Sequence, residues 1–396
     1  MCRGGIKHME ILICRQGLFG GTDKLLDRLY GWLKGENYSV DICCLSETEM
    51  DRLRRCYELV IIPSSQLGNL YELSNRGIRI KRVLMWIMGM GAFSDAYYNY
   101  PASSFFDKML QVLYKKEAEA ALKWLLRKRA VVFTDSVGIY NTFQVFHMKC
   151  SDTCQENIVP IAINVPSEKL YPSHDNRKSL INISWIGRVS TDFKEIPLRH
   201  LLQDLDDWAR TQNAEVEFTI VGDGDALERI KKEAENVSYR VNFIQNIPYE
   251  KLNKYISENV DLLIAMGTSA LDGAKNGCPT VIITPVRAAD PEKVHYRWIY
   301  DSKGCSLGEY PDIDLKTGQR RVEFGKIMEE FFADANVSDK SFEYAGRFDQ
   351  EKVFAELMRR ELPGEIDREM WVHAKRFQKM KKKKMTMKKI LSRIKR

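Results

Sequence analysis

Short apolar runs alternate along this chain with longer stretches in which apolar positions recur every third or fourth residue. The first pattern predicts strands covered on both faces, and the second predicts helices that lay one face on them. Met9-Glu-Ile-Leu-Ile-Cys14 predicts a first strand, and Leu25, Leu26, Leu29, Trp32 and Leu33 set the face of the helix after it. Val40 to Leu45 completes a strand–helix–strand unit. Further strands are expected at Leu59–Ile62, Arg82–Ile87, Ala130–Phe133 and Ile158–Ile163, with a helix from Phe105 to Arg127. After the polar stretch Pro172 to Ser179 the alternation starts again. Strands are expected at Leu180–Ile186, Glu217–Val221, Arg240–Ile244, Asp261–Ile264 and Thr280–Ile283. Helices are expected over Leu198–Thr211, from Gly224 to about Asn236, over Tyr249–Ser257 and after Met266. Strands alternating with helices predict parallel sheets with helices on both faces, and the length predicts more than one such domain.

Composition changes little in this picture. Hydrophobic residues are 44% and charged residues 29% of 396, the ordinary balance of a globular chain. The longest apolar run, around Val83 to Phe93, is too short to span a bilayer. Met1 to Arg15 lacks the basic-then-apolar pattern of a secretory signal. Nine cysteines, with Cys43 beside Cys44 and Cys150 near Cys154, form no repeated ligand pairs and read as reduced thiols. Charge is more informative. The net charge is +7, yet residues 368–396 alone hold 13 Lys or Arg against the single acid Glu369. A mildly acidic body therefore carries a basic tail, so the pI of 8.8 is no sign of a nucleic-acid-binding fold.

The turns carry the chemistry. Neither half has a GxGxxG turn, which argues against a dinucleotide-dependent dehydrogenase, and no Walker lysine motif is present. Five other motifs occur in order: Gly20-Gly21-Thr22-Asp23 before a helix; Ile158-Val-Pro-Ile-Ala-Ile-Asn164; Trp185-Ile-Gly-Arg188 with Lys194; Phe218-Thr-Ile-Val-Gly-Asp-Gly224; and Gly267-Thr-Ser-Ala-Leu-Asp-Gly-Ala-Lys-Asn-Gly-Cys-Pro-Thr-Val281. This series resembles glycosyltransferases of the GT-B fold, specifically family 4. The resemblance implies two Rossmann-like doubly wound domains facing across a cleft, with the donor in the C-terminal half. It implies a transferase that moves a sugar from a UDP- or GDP-linked donor to a glycan or lipid-linked acceptor. Retention of configuration, no metal and no further cofactor are expected with it. On this resemblance Arg188, Lys194, Gly267, Thr268 and Ser269 bind the donor diphosphate and Asp272 binds its ribose. Gly20, Gly21, Gly187, Gly222 and Gly224 make the glycine-rich turns. Two fixed cations and helix-terminal amides are what a departing diphosphate needs.

Each residue also has a plainer reading. Arg188 fits a surface ion pair, and Lys194 fits a solvated lysine. Ser269 and Asp272 have the spacing of a capping box, and Gly20, Gly21, Gly222 and Gly224 suit tight turns without any ligand. The family pattern is also broken twice. Its first acid would fall at Ile264, and Met88-Gly89 stands where relatives have His-Gly. No catalytic base is assigned; His147 and His295 are the histidines placed to reach a cleft. Asp95, Tyr97, Tyr98 and Tyr100 read as an acceptor-side lining or as packing, and Trp298 and Tyr300 as core.

The expected division is 1–170 for the acceptor side and 171–335 for the donor side. Residues 336–367 form a helical return, with one helical stretch from Phe342 to Leu362, and 368–396 form a basic amphipathic tail. In that tail Met387, Ile390, Leu391 and Ile394 make one apolar stripe after Lys381 to Lys384. The enzyme reading thus expects a cytoplasmic protein, peripheral at the inner face of the plasma membrane, working in cell-surface polysaccharide synthesis. The rival is a non-catalytic GT-B-like protein that binds a nucleotide or glycan and docks through the same tail. Neither reading expects nucleic acid as a partner.

Overall fold

The computed structural model describes residues 9–17, 21–44, 49, 51–89, 91–97, 105–149, 156–171, 180–286 and 294–394. Contacts divide the chain into Met1–Ala162 with Gln350–Arg396 as one unit, and Ile163–Asp349 as the other. The expected boundary at 170 lies inside the second unit.

The first unit begins β1 (Glu10–Cys14), α1 (Gly21–Gly35), β2 (Ser39–Cys43), β3 (Cys56–Pro63), α2 (Asn69–Asn75) and β4 (Arg79–Ile87). It continues with α3 (Ala92–Tyr97), α4 (Phe105–Arg127), β5 (Val131–Phe133) and α5 (Ser136–Val145). All five strands are parallel, in the order β2-β1-β3-β4-β5. Alternation along the strands splits the core in two. Leu12, Cys14, Val60, Ile62 and Met85 face one side, where Leu70 and Leu73 of α2 and Leu122 of α4 cover them. Ile11, Ile13, Ile61 and Trp86 face the other, where Leu26 and Leu29 of α1 cover them.

The second unit runs β6 (Leu180–Ile186), α6 (Glu195–Gln212), β7 (Glu215–Val221), α7 (Leu227–Ala234), β8 (Arg240–Ile244), α8 (Tyr249–Asn259), β9 (Leu262–Ala265) and α9 (Thr268–Ala274). It ends β10 (Thr280–Ile283), β11 (Tyr296–Trp298), α10 (Pro311–Lys316), α11 (Phe324–Ala333) and α12 (Val337–Ala345). Its six-stranded sheet has the order β11-β10-β9-β6-β7-β8, parallel except for the edge strand β11. The chain then returns to the first unit as α13 (Gln350–Arg359) and α14 (Arg368–Ile394).

Three expectations change. Ile158–Ile163 is not a strand; it makes two isolated bridges, Phe133 with Ile158 and Ile163 with Asp349. Pro160 between them has no amide to give a ladder. The single helical stretch Phe342–Leu362 is two helices, parted by a 3-10 turn at Gly346–Phe348 and an extended Asp349. The basic segment is not a tail over its first turns, because Met370, Ala374, Phe377 and Met380 of α14 are buried in the first unit's core. A Cβ on Gly68 would lie 2.7 Å from the Gln378 amide nitrogen, so α14 seats against bare backbone there.

Polar contacts fix that seat. Glu117 of α4 accepts from Arg376 at 2.6 Å and pairs with His373 at 2.5 Å, while Trp124 donates to Asp367 at 2.9 Å. Burial pushes the Glu117 carboxyl up, but His373 and Arg376 outweigh it and hold the group below its ordinary value. A depressed carboxyl stabilises the fold above the ordinary carboxylate range and stops doing so as pH falls through its folded value. Acidification is therefore expected to expose the α14 amides to hydrogen exchange before the β1–β3 amides, and Glu117→Gln to remove that pH dependence. Equal protection of α14 in both proteins across the acid range would refute this role.

Candidate functional site

In the second sheet β6 lies between β7 and β9, and the chain leaves β6 toward β7 and β8 before crossing back to β9. The order therefore reverses between β6 and β9, and the carboxyl ends of strands at such a reversal are where open α/β sheets bind ligands. Gly187 follows β6 and Gly267 follows β9, so two of the motifs read from the sequence lie at that switch point.

The β6 and β7 turns are zipped together. Gly187 donates its amide to Val221 at 3.0 Å, Gly222 to Ile244 at 2.9 Å, and Val189 to Asp223 at 2.9 Å. Gly222 and Gly224 have φ of 154° and 156°. A Cβ on either would sit 2.0 Å from a carbonyl oxygen, that of Gly187 or of Val189. Close backbone approach by itself requires glycine at these two positions.

Gly187 is different. Its φ is 156°, and the nearest atoms to a Cβ placed there would be Lys194 Nζ at 3.5 Å, Trp185 Nε1 at 3.7 Å and Ser269 Oγ at 3.8 Å. An ammonium, an indole nitrogen and a hydroxyl thus lie around one point. Lys194, from the turn before α6, and Ser269, in the first turn of α9, come from motifs far apart in the chain. Trp185 also reaches the Gly187 carbonyl at 3.3 Å. Lys194 makes no hydrogen bond or ion pair of its own among the described residues. Burial lowers its pKa first and the Arg188 charge lowers it further, against partial support from Asp192. A cation held below its ordinary pKa gains from an added anion.

Arg188 sits at the rim. Its side chain is 62% exposed and lies 3.4 Å from Asp192. Burial raises the Asp192 carboxyl, but hydrogen bonds from Ser190 and the Phe193 amide and the Arg188 charge leave it below its ordinary value. Arg188 therefore meets its surface-pair reading while remaining next to Lys194. Gly267 has φ of 64° and gives its amide to the Leu307 carbonyl at 2.8 Å, so that amide is already used. Thr268 is exposed and Ser269 half-buried in a helix of seven residues.

Asp272 does not act as a cap. The N-cap of α9 is Gly267, with no side-chain cap, and Asp272 instead accepts from Lys275 Nζ at 2.8 Å. Lys275 is buried, with Tyr249 Oη at 3.2 Å and the Tyr249 ring 5.1 Å away. Burial alone would lower the Lys275 ammonium; Asp272 and Tyr249 outweigh it and leave the pKa raised. Asn276 ties α9 to α8 through Asn253 at 3.1 Å and donates to the Asp272 carbonyl at 2.7 Å. Sequence reasoning overlooked Trp185, Tyr249 and Lys275. The one available signal was a lysine three residues after an acid in an apolar helix.

The other expected residues are dispersed. Gly20 lies outside the described residues, as do Tyr98 and Tyr100. Gly21 opens α1 with free space around it, and Asp23 accepts from the Gln16 amide at 2.9 Å. Tyr97 is fully buried, its hydroxyl accepting from the Leu67 amide at 3.0 Å, which is packing. Trp298 is buried and stacked on Tyr300. Ile264 is fully buried in β9, and Gly89, with φ of 97°, donates to Thr134. His147 is exposed in the turn after α5, and the His295 amide donates to the Thr284 hydroxyl. No group of three or more His, Cys, Asp or Glu side chains poised for a metal ion occurs among the described residues.

No family model matches the chain, and no curated protein matches it in sequence. Solved structures do match in shape. HepE of Anabaena, solved with UDP and glucose, is 13% identical, with 89% of this chain and 99% of that one aligned at a TM-score of 0.51. A trehalose-6-phosphate synthase, studied for glycosyl transfer with retention, is 11% identical, with 89% and 100% aligned at 0.52. With the two Rossmann-like halves described above, these likenesses show a GT-B fold.

Proposed function

We propose that this chain is a glycosyltransferase that moves a sugar from a UDP- or GDP-linked donor to a glycan or lipid-linked acceptor. The observation that carries the reading is that Lys194 Nζ and Ser269 Oγ converge beside Gly187, at the point where the strand order of the second sheet reverses, while Trp185 fixes the turn through the Gly187 carbonyl. Breaking the bond between sugar and diphosphate leaves negative charge on the departing phosphate. Fixed donors already aimed at that position lower the barrier without reorganising, and a cation does most. Lys194 is the inner cation and Arg188, exposed at the rim, is the outer one that closes on the diphosphate when it arrives. Asp272, held in place by Lys275, offers its remaining oxygen to the ribose hydroxyls, and Tyr249 beside it offers a ring face. Two lysine and arginine charges meet the diphosphate in place of a metal. With no carboxylate at Ile264 and no histidine at Met88, the departing diphosphate itself takes the proton of the acceptor hydroxyl, a course that retains configuration. HepE, which shares the fold and was solved with UDP and glucose, supports a nucleotide-sugar donor. We place the activity in cell-surface polysaccharide synthesis, with the chain peripheral at the inner face of the plasma membrane and the part of α14 beyond Met380 turned to it. No helix among the described residues is long and apolar enough to cross a membrane.

The test is a thermal-shift screen against UDP, GDP and their sugar conjugates, with and without EDTA. A ligand present at a hundred times its Kd adds about 2.7 kcal/mol to stability, which moves the midpoint by several degrees. One nucleotide is expected to shift the midpoint regardless of chelator, and Arg188→Ala to reduce that shift while leaving the unliganded midpoint unchanged. No shift with any nucleotide would overturn the donor site. A second reading, a binding protein without turnover, is favoured by Ile264 and Met88 alone; it requires the same shift with no hydrolysis or transfer of the sugar.

A further inference from the structure

The outer face of α4 is apolar where it should be polar. Met109, Val112 and Leu113 are 46%, 56% and 52% exposed, spaced i, i+3, i+4 in the first half of a helix whose inner face, Ala118, Ala121, Leu122 and Leu125, is buried. Residues 108–116 contain no acid and three lysines, of which Lys108 and Lys116 are exposed. A second basic element runs alongside it. Arg127 pairs with Glu369 at 2.6 Å, and ten residues earlier Glu117 meets Arg376 at 2.6 Å, so α4 and α14 run antiparallel. The apolar first half of α4 therefore lies toward the later half of α14, which holds Lys379, Lys381 to Lys384, Lys388 and Lys389. Lys379 and Lys382 are exposed, whereas Lys381 is turned inward to Gln66 and Asn69 at 3.4 Å.

An apolar patch rimmed by charge of one sign is complementary to a layer with an apolar interior and an anionic face. It is not complementary to itself, since a two-fold contact would set its lysines against their copies. We propose that the exposed face of α4 is a membrane-insertion surface: Met109, Val112 and Leu113 enter the boundary between headgroups and acyl chains, and the exposed Lys379 and Lys382 of α14 hold anionic headgroups beside them. This rests on the membrane-facing reading of 368–396 but gives the apolar contact to a different element. The helix that anchors α14 in the core through Glu117 is then the helix that meets the lipid, so the surface is rigid rather than a tethered tail.

Sedimentation of the full chain with vesicles tests it, using phosphatidylcholine alone and phosphatidylcholine with one-third phosphatidylglycerol at about 0.15 M salt. The unmodified chain is expected to pellet with the anionic vesicles only. The triple variant Met109→Gln, Val112→Gln, Leu113→Gln is expected to bind them at least about tenfold more weakly, with its thermal midpoint unchanged because the replaced side chains are exposed. Val112→Glu alone should act in the same direction. Lys382→Gln with Lys383→Gln should weaken binding and its salt dependence while leaving the apolar contribution. An α4 variant that binds like the unmodified chain, while the lysine variant fails, overturns the proposal and leaves the tail reading standing. Failure of the unmodified chain to pellet overturns both. A change in oligomeric state of the α4 variant with vesicle binding intact assigns the face to contact between copies and also overturns it.

Discussion

Lys194→Met is expected to weaken binding of the nucleoside diphosphate by roughly tenfold to a hundredfold, the worth of one hydrogen bond to a charged group, about 1.5–3 kcal/mol. The reasoning starts from burial. Lys194 is the inner member of the trio around Gly187, and burial and Arg188 together hold its pKa down. A lysine lowered in the folded chain is less content as a cation there than in the unfolded chain. Removing its charge therefore removes a burial cost, and the sign is clear: the methionine variant should unfold no earlier than the parent. Methionine keeps the buried stem and loses only the head. Binding by the parent should also fall off with rising pH earlier than an ordinary lysine would allow, and the variant should lose that dependence. Titration calorimetry across neutral to alkaline pH reads both effects. Equal affinity of parent and variant would remove Lys194 from the site.

The second large effect is on stability. Gly224→Ala and Gly222→Ala each place a Cβ 2.0 Å from a backbone carbonyl oxygen, where no side-chain rotation brings relief. The two turns must part, and the Gly187–Val221 and Val189–Asp223 hydrogen bonds stretch with them. Overpacking against backbone, together with a positive φ, is expected to cost more than about 3 kcal/mol. Gly31→Ala in α1, where nothing lies within 4 Å, is the control, expected to stabilise by roughly 0.5–1 kcal/mol. Denaturant unfolding separates the two. A Gly224→Ala chain as stable as its parent would mean that the turns are not locked as described.

Most of the architecture was legible because continuous apolar runs of strand length admit little else between helical stretches. Leu180–Ile186, Thr280–Ile283 and the helix Phe105–Arg127 fall where the periodicity puts them. Ile158–Ile163 misled because composition says strand while Pro160 withholds a donor, and the donor decides. The site was legible only in fragments. The order of the turns singled out Gly187, Lys194 and Ser269, but nothing in a linear chain says that three atoms of different elements meet within a few ångströms. Trp185 was hidden by its own strand, where a tryptophan reads as core. Lys275 and Tyr249 were hidden because their contact joins α8 to α9, and a pair formed across helices leaves no spacing behind. Gly267 was assigned an amide for phosphate that the fold spends on Leu307.

The return of α13 and α14 to the first unit has a consequence for how this protein is made. The second unit is one continuous stretch, whereas the first is interrupted by it. On a ribosome, Ile163–Asp349 can complete its sheet while the first unit still waits for Val353, Phe354 and Leu357 to cover one face and Met370 and Phe377 the other. The earliest strands to be synthesised are therefore the last to be sealed, and parallel pairs left uncovered are slow to close and prone to associate. A stop codon just after residue 349 would leave the later-made unit able to fold and the earlier-made one with part of each side of its sheet uncovered. Such a truncation is expected to yield aggregates rather than a folded first unit.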